Sequence, residues 1–182
     1  MKTVLLGITG SIAAYKACEL ISIFRKKGHA VRCAMTAGAT HFITPLTLET
    51  LSGNKVAADM FKRPPGPDPE HISLADEADL ILIAPATYNV IGKIASGISD
   101  DILTCTVAAA SCPVVLAPAM NDRMYLNPVI RDKTAYLKEK GYRFIEPVEG
   151  HLACDRHGIG HLAPIREIVD RTEAVLAERT GS

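Results

Sequence analysis

Two segments, Leu80-Ile81-Leu82-Ile83-Ala84 and Pro113-Val114-Val115-Leu116-Ala117, are apolar at every position rather than at every second one. A strand that shows one face to water alternates. A strand without alternation is buried on both faces, the pattern of a parallel sheet covered by helices above and below. The surrounding segments supply those helices. Residues 12–27 carry apolar side chains at Ala13, Ala17, Leu20, Ile21 and Phe24, which predicts one amphipathic helix. Arg25, Lys26 and Lys27 complement its C-terminal dipole, and Gly28 stops it. Residues 3–9 and 29–35 flank it as strands. Further helices are expected over 47–52, 90–95, 101–110, 127–140 (closed by Gly141) and 165–178, with a last strand over 143–145. Strand and helix alternate throughout. The expected fold is an α/β three-layer αβα sandwich with a mostly parallel, doubly wound sheet, flavodoxin-like or Rossmann-like.

A chain of 182 residues, 48% hydrophobic, fits one domain over 1–182 with an ample core and no room for a second catalytic unit. Twenty basic and twenty acidic residues cancel to zero net charge. They are spread along the chain, which excludes a broad footprint for nucleic acid or membrane. The five cysteines, Cys18, Cys33, Cys105, Cys112 and Cys154, are odd in number and include no Cys-x-x-Cys pair, so a reducing cytoplasm is the expected location. The apolar residues 4–8 are strand-long and broken by glycines, too short for a signal peptide or a membrane span.

Two stretches interrupt the alternation. Residues 62–70 hold Pro64, Pro65, Pro67 and Pro69 and must run extended, with Asp68 as N-cap, Pro69 as first helical residue and His71 in the first turn. There the positive helix terminus would favour a neutral imidazole. Residues 147–164 carry Gly150, Gly158 and Gly160 with little periodicity, the mark of a functional flap.

In an open parallel sheet, ligands sit at the carboxyl ends of the strands. Three polar segments follow strands there. Gly7-Ile8-Thr9-Gly10-Ser11 offers a glycine turn whose amides can approach an anion, with Ser11 as cap and phosphate donor. Pro85-Ala86-Thr87-Tyr88-Asn89 offers a hydroxyl and a carboxamide. Pro118-Ala119-Met120-Asn121-Asp122-Arg123-Met124-Tyr125 offers Asn121, flanked by methionines that can wall a pocket. Taken singly, Ser11, Thr87 and Asn121 also read as ordinary helix caps, Asn121 before a helix near 122–125. Their convergence on one rim favours a ligand. The second strand ends in Met35-Thr36-Ala37, and no Asp or Glu lies between residues 30 and 48 to hold an adenosine ribose, so NAD is disfavoured. A mononucleotide such as FMN suits the same position, with Thr36 among its partners. In the flap, His151, Cys154, His157 and His161 invite a zinc reading, but their spacing matches no regular clip, and no metal is expected. The alternative is that Cys154 is a proton donor on a mobile lid.

Gly10-Ser11, His71-Ile72-Ser73-Leu74, Pro85 to Asn89, Pro118 to Met124 and Leu152-Ala153-Cys154 together resemble the homo-oligomeric flavin-containing cysteine decarboxylases, over nearly the whole chain. The resemblance implies FMN, with Gly10, Ser11, Thr36, Thr87 and Asn89 as cofactor-binding residues. It also implies a small-molecule substrate of coenzyme A biosynthesis, a phosphorylated pantothenoyl chain ending in cysteine. Flavin oxidation of the thiol to a thioaldehyde would provide the electron sink for loss of CO2. By the same resemblance His71 assists that first half, Asn121 holds the substrate with Met124 and Ala153 beside it, and Cys154 donates the proton as the enethiol is reduced. A trimer or a dodecamer of trimers, with the site between subunits, and a separate ligase as pathway partner are also implied.

Two departures stand out. Asp155 replaces a glycine of the family's Ala-Cys-Gly, and His161 replaces the arginine that ends Gly-x-Gly-Arg. Tyr88 and Val90 also differ from the family's Pro-Ala-Ser-Ala-Asn-Thr, although Thr87 and Asn89 keep the hydroxyl and the amide. Competing functions on this fold are a flavin prenyltransferase, a peptidyl-cysteine decarboxylase, a regulatory FMN-binding protein that catalyses nothing, and a plain FMN electron carrier. Asn121 speaks against the first, and the retention of His71, Asn121 and Cys154 against the last two.

Overall fold

The computed structural model of the chain describes residues 1–61, 69–151 and 157–178. Its sheet contains β1 (Thr3–Ile8), β2 (Ala30–Met35), β3 (Val56–Ala57), β4 (Leu80–Ala86), β5 (Val114–Pro118) and β6 (Arg143–Phe144), in the order β3-β2-β1-β4-β5-β6. Every pairing is parallel. Eight α-helices are described: α1 (Ala17–Lys26), α2 (Pro45–Ser52), α3 (Glu70–Glu77), α4 (Tyr88–Ala95), α5 (Ile102–Ala109), α6 (Asp122–Tyr125), α7 (Pro128–Glu139) and α8 (Ile165–Glu178).

The unalternating strands are buried for the expected reason. Successive side chains leave a strand on opposite faces, and here each face has its own helical layer. Val4, Leu6 and Ile8 of β1, with Leu82 and Ala84 of β4, pack on Leu20, Ile21 and Phe24 of α1 and on Ile168, Val169 and Leu176 of α8. Leu5 of β1, with Ile81 and Ile83 of β4, packs on Leu74 of α3, Val90 and Ile91 of α4, Leu103 and Val107 of α5, and Ile130 and Leu137 of α7. Leu80, Ile81, Leu82, Ile83 and Ala84 are fully buried, and each large aliphatic side chain so placed contributes roughly 1.5–3 kcal/mol. The three-layer sandwich is the expected one.

Several local expectations need correction. Residues 12–27 do not form one helix: a 3-10 turn over Ile12–Lys16, capped by Ser11, precedes α1. Gly7 is not part of the glycine turn but lies inside β1, where an added Cβ would stand 2.6 Å from Leu103 Cδ1. It lets α5 approach the sheet closely. Helix α3 starts at Glu70, with Pro69 at the N-cap position rather than inside the helix; Asp68, like the rest of 62–68, lies outside the described residues. The described residues of the flap are ordered despite their lack of periodicity. Residues on either side of 152–156 form an antiparallel hairpin, β7 (Val148–His151) with β8 (His157–His161). The short edge strand β3 and a 3-10 turn at Ala37–His41 had no sequence counterpart.

Candidate functional site

The strand order reverses between β1 and β4. The chain leaves β1 toward β2 and leaves β4 toward β5, so the loops after these neighbouring strands diverge and open a crevice at their carboxyl ends. A cavity of about 570 Å³ occupies it, within the size range of small-molecule and cofactor sites. Six of the sequence-derived candidates line this cavity: Gly10, Ser11, Thr36, Thr87, Asn89 and Met124.

Each wall has a local cause. Thr9, almost fully buried, donates its Oγ1 proton to the Pro85 carbonyl at 2.7 Å and accepts the Thr87 amide at 3.1 Å. This fastens the loop after β1 to the loop after β4. An added Cβ on Gly10 would lie 3.0 Å from the Gly38 carbonyl carbon, so the loops after β1 and β2 touch backbone to backbone. A side chain would separate them. Ser11 Oγ accepts the Ala13 amide at 3.3 Å, and Thr87 Oγ1 accepts the Val90 amide at 3.4 Å. Both residues therefore cap a turn and face the cavity at once.

Asn121 Oδ1 accepts the Arg123 amide at 3.0 Å and caps α6. Asn121 itself is not among the lining residues; its neighbours Met120 and Met124 are. The β8 strand supports this corner, since Met120 N–H donates to the Gly160 carbonyl at 3.0 Å. Gly160 has φ +138, and an added Cβ would run into the Met120 carbonyl oxygen. His161 Nε2 lies 3.3 Å from Lys16 Nζ. Burial, and then the neighbouring Lys16 ammonium, hold the imidazole below its ordinary value. Where the family resemblance expects an arginine, Lys16 already provides the cation.

His71 stands in the first turn of α3, half-buried and outside the cavity lining. Ala153, Cys154 and Asp155 lie outside the described residues. Among the described residues no group of three His, Cys, Asp or Glu side chains could hold a metal ion.

Sequence reasoning missed the charged end of the cavity. Lys93 in the last turn of α4 pairs with Asp100 at 2.6 Å and with Asp101 at 3.2 Å, and all three line the cavity. The hydrogen bond that Lys93 donates to Asp100 raises the Lys93 ammonium above its ordinary value, and Lys93 lowers Asp100 in return. Asp101 was legible as the start of a helix, and it caps α5 in a capping box with Thr104. Its meeting with Lys93 depends on the path of the chain between α4 and α5. The trio carries one excess negative charge. An anionic group is better served by Ser11 and Thr36, which offer hydroxyls, and by the loops of Gly10 and Gly38, which bring backbone close. These groups fit a flavin mononucleotide: the hydroxyls would hold its phosphate, and Met120 and Met124 offer an apolar wall.

Fold and site define a doubly wound α/β domain built to take a mononucleotide-sized ligand at the carboxyl rim of its sheet. The sequence matches the Flavoprotein family over residues 1–177, and the chain belongs to that family. It is 47% identical over 181 residues to the coenzyme A biosynthesis bifunctional protein CoaBC of Bacillus subtilis, covering the whole of this chain and 45% of the relative. The chain spans a little under half the length of the bifunctional relatives it matches. It is 42% identical to a probable phosphopantothenoylcysteine decarboxylase of Streptococcus mutans, covering 96% of this chain and 99% of the relative. Among solved structures, a PPC decarboxylase mutant complexed with pantothenoylaminoethenethiol superposes with a TM-score of 0.85 at 32% identity, over 95% of this chain and 97% of the other. The FMN-dependent cysteine decarboxylase SpaF gives a TM-score of 0.84 at 30% identity over 98% and 97%. No helix among the described residues is long and apolar enough to cross a membrane.

Proposed function

We propose that the chain is an FMN-dependent carboxy-lyase that converts phosphopantothenoylcysteine to phosphopantetheine in the cytoplasm, in coenzyme A biosynthesis. One observation carries the reading: the crevice between β1 and β4 is lined by Gly10, Ser11, Thr36, Thr87 and Asn89 and walled by Met120 and Met124 of the Pro-Ala-Met-Asn segment. The relative named as a probable phosphopantothenoylcysteine decarboxylase and the bifunctional relative named for coenzyme A biosynthesis support it.

Bound FMN supplies the two-electron oxidation of the substrate thiol and returns the electrons after CO2 has left. The chain's own residues bind, orient and move protons. Ser11 and Thr36 would donate to the phosphate of a bound FMN, and Thr87 and Asn89 would hold its ring. Asn121, its Oδ1 engaged by the Arg123 amide, offers its Nδ2 to the substrate carboxylate with Met124, and by the family resemblance Ala153 contributes to substrate binding. His71 accepts the proton of the substrate thiol. Cys154 returns a proton to the enethiol carbon and completes the saturated product.

His71 lies outside the cavity of its own subunit, so it serves the cavity of a neighbour in a homo-oligomer, a trimer or a dodecamer of trimers. Exposed apolar side chains near the crevice, Ile12, Tyr15, Phe42 and Leu46, support such an interface. The substrate comes from a ligase that joins cysteine to phosphopantothenate.

The test is to incubate the yellow, FMN-loaded protein with phosphopantothenoylcysteine and identify the product by mass. Phosphopantetheine and CO2 are expected, and Cys154→Ser should stop at the oxidised enethiol. A protein that takes up no FMN overturns the reading, and an unchanged product from the variant removes the role of Cys154.

A further inference from the structure

A second cavity of about 370 Å³ lies across α6 from the first, lined by Tyr125, Leu126, Arg131, Thr134, Ala135, Lys138 and Glu146. Consecutive residues of one short helix serve both: Met124 faces the first cavity, and Tyr125 the second. The two are thus separated by a distance on the order of one helix diameter, about 10 Å.

The charges in this second cavity are unevenly matched. Glu146 accepts from Lys138 Nζ at 2.5 Å and from the Tyr125 hydroxyl at 2.5 Å. Burial pushes the Glu146 carboxyl up, but these two hydrogen bonds outweigh it and hold the carboxyl below its ordinary value. One carboxylate and one ammonium therefore cancel. Arg131 remains. Its guanidinium makes no ion pair or side-chain hydrogen bond among the described residues, and the cavity keeps a net charge of one positive unit. Thr134 adds a hydroxyl donor, while the exposed Leu126 and Ala135 add apolar surface at its edge.

That combination has a chemical counterpart. A planar guanidinium with a hydroxyl in the same cavity recognises a phosphomonoester, and apolar surface at the edge suits a branched hydrocarbon next to the ester. We infer that this cavity binds the phosphorylated end of the substrate, with Arg131 as its principal specificity determinant. The inference rests on the decarboxylase reading of the first cavity. Its reach suffices, since two amide units, the extra methylene and the phosphorylated branched end together extend to about 15 Å at peptide dimensions, more than the diameter of one helix. The reacting cysteine would lie against Met124 while the phosphate crosses α6 to Arg131.

The experiment has two arms. In the first, calorimetry compares binding of phosphopantothenate and pantothenate to the FMN-loaded wild type and to Arg131→Gln. The wild type should bind the phosphate form about ten- to a hundredfold more tightly, the worth of one or two charge-assisted bonds. Arg131→Gln should lose most of that ratio, and Arg131→Lys should restore part of it. In the second arm, the ratio of kcat/KM for phosphorylated over dephosphorylated substrate should fall by the same factor. Equal binding of the two forms by the wild type, or an unchanged ratio in a folded Arg131→Gln, overturns the subsite even if the protein releases CO2. A wild type that shows the expected phosphate preference but releases no CO2 upholds the subsite and removes the decarboxylase reading. The wild-type comparison decides the matter on its own should the variant fail to fold.

Discussion

Capping and ligand binding are compatible at the level of the single hydroxyl. Ser11 Oγ and Thr87 Oγ1 each accept one backbone amide, which uses a lone pair and leaves the O–H to donate. The cap then orients the donor toward the cavity. This is why neither residue, read alone, could be assigned to one role. His161 yields a prediction at the same scale. Burial and Lys16 depress its pKa in the folded chain. The unfolded chain takes up the proton first as pH falls, so the stability tied to neutral His161 is complete above about pH 6.5 and is lost as pH drops through the folded value. Urea midpoints should therefore decline from about pH 7.5 to about pH 5.5, by a small amount because the site is largely exposed. His161→Gln should flatten part of that decline. An equally steep profile in the variant would show that other groups carry it.

Among the elements, α5 shows how a local signal acquires a distant use. Asp101 accepts the Thr104 amide at 2.9 Å as an N-cap and also pairs with Lys93 of α4. Asp101→Ala should destabilise the fold by about 1–2 kcal/mol through the lost cap, and by denaturant titration Asp101→Asn should recover most of that. Only the alanine variant opens the helix end, but both variants free Lys93 from one of its carboxylates. FMN affinity should accordingly change in both. The helices were legible because period, caps and stop glycines agree: Asn127 caps α7, and Gly28 and Gly141 take positive φ after α1 and α7. The hairpin of β7 and β8 was not. Its strands lack alternation, and β8 is held in place by the Met120 amide on Gly160 and by the close fit of Gly158 against Asp122. Contacts of that kind leave no period in the sequence.

On the scale of the whole molecule, a cavity that lacks His71 within its own chain predicts sharing between subunits. On the proposed reading His71→Asn and Asn121→Ala should each lose CO2 release, and mixing and reassembling the two should regain a fraction of wild-type release, because some interfaces then carry an intact His71 opposite an intact Asn121. Assembly without recovery would place both groups in one subunit. The sequence by itself determined the class of fold, through apolar strands that only a doubly covered sheet can bury, and it determined which polar segments end those strands. It also named most of the cavity's lining, since rim residues follow strands by rule. Tertiary structure alone decided the strand order that opens the crevice between β1 and β4, the Lys93 cluster at its end, and the second cavity across α6. Those features arise where segments far apart in the chain meet, and the charge balance of such a meeting belongs to no single stretch of sequence.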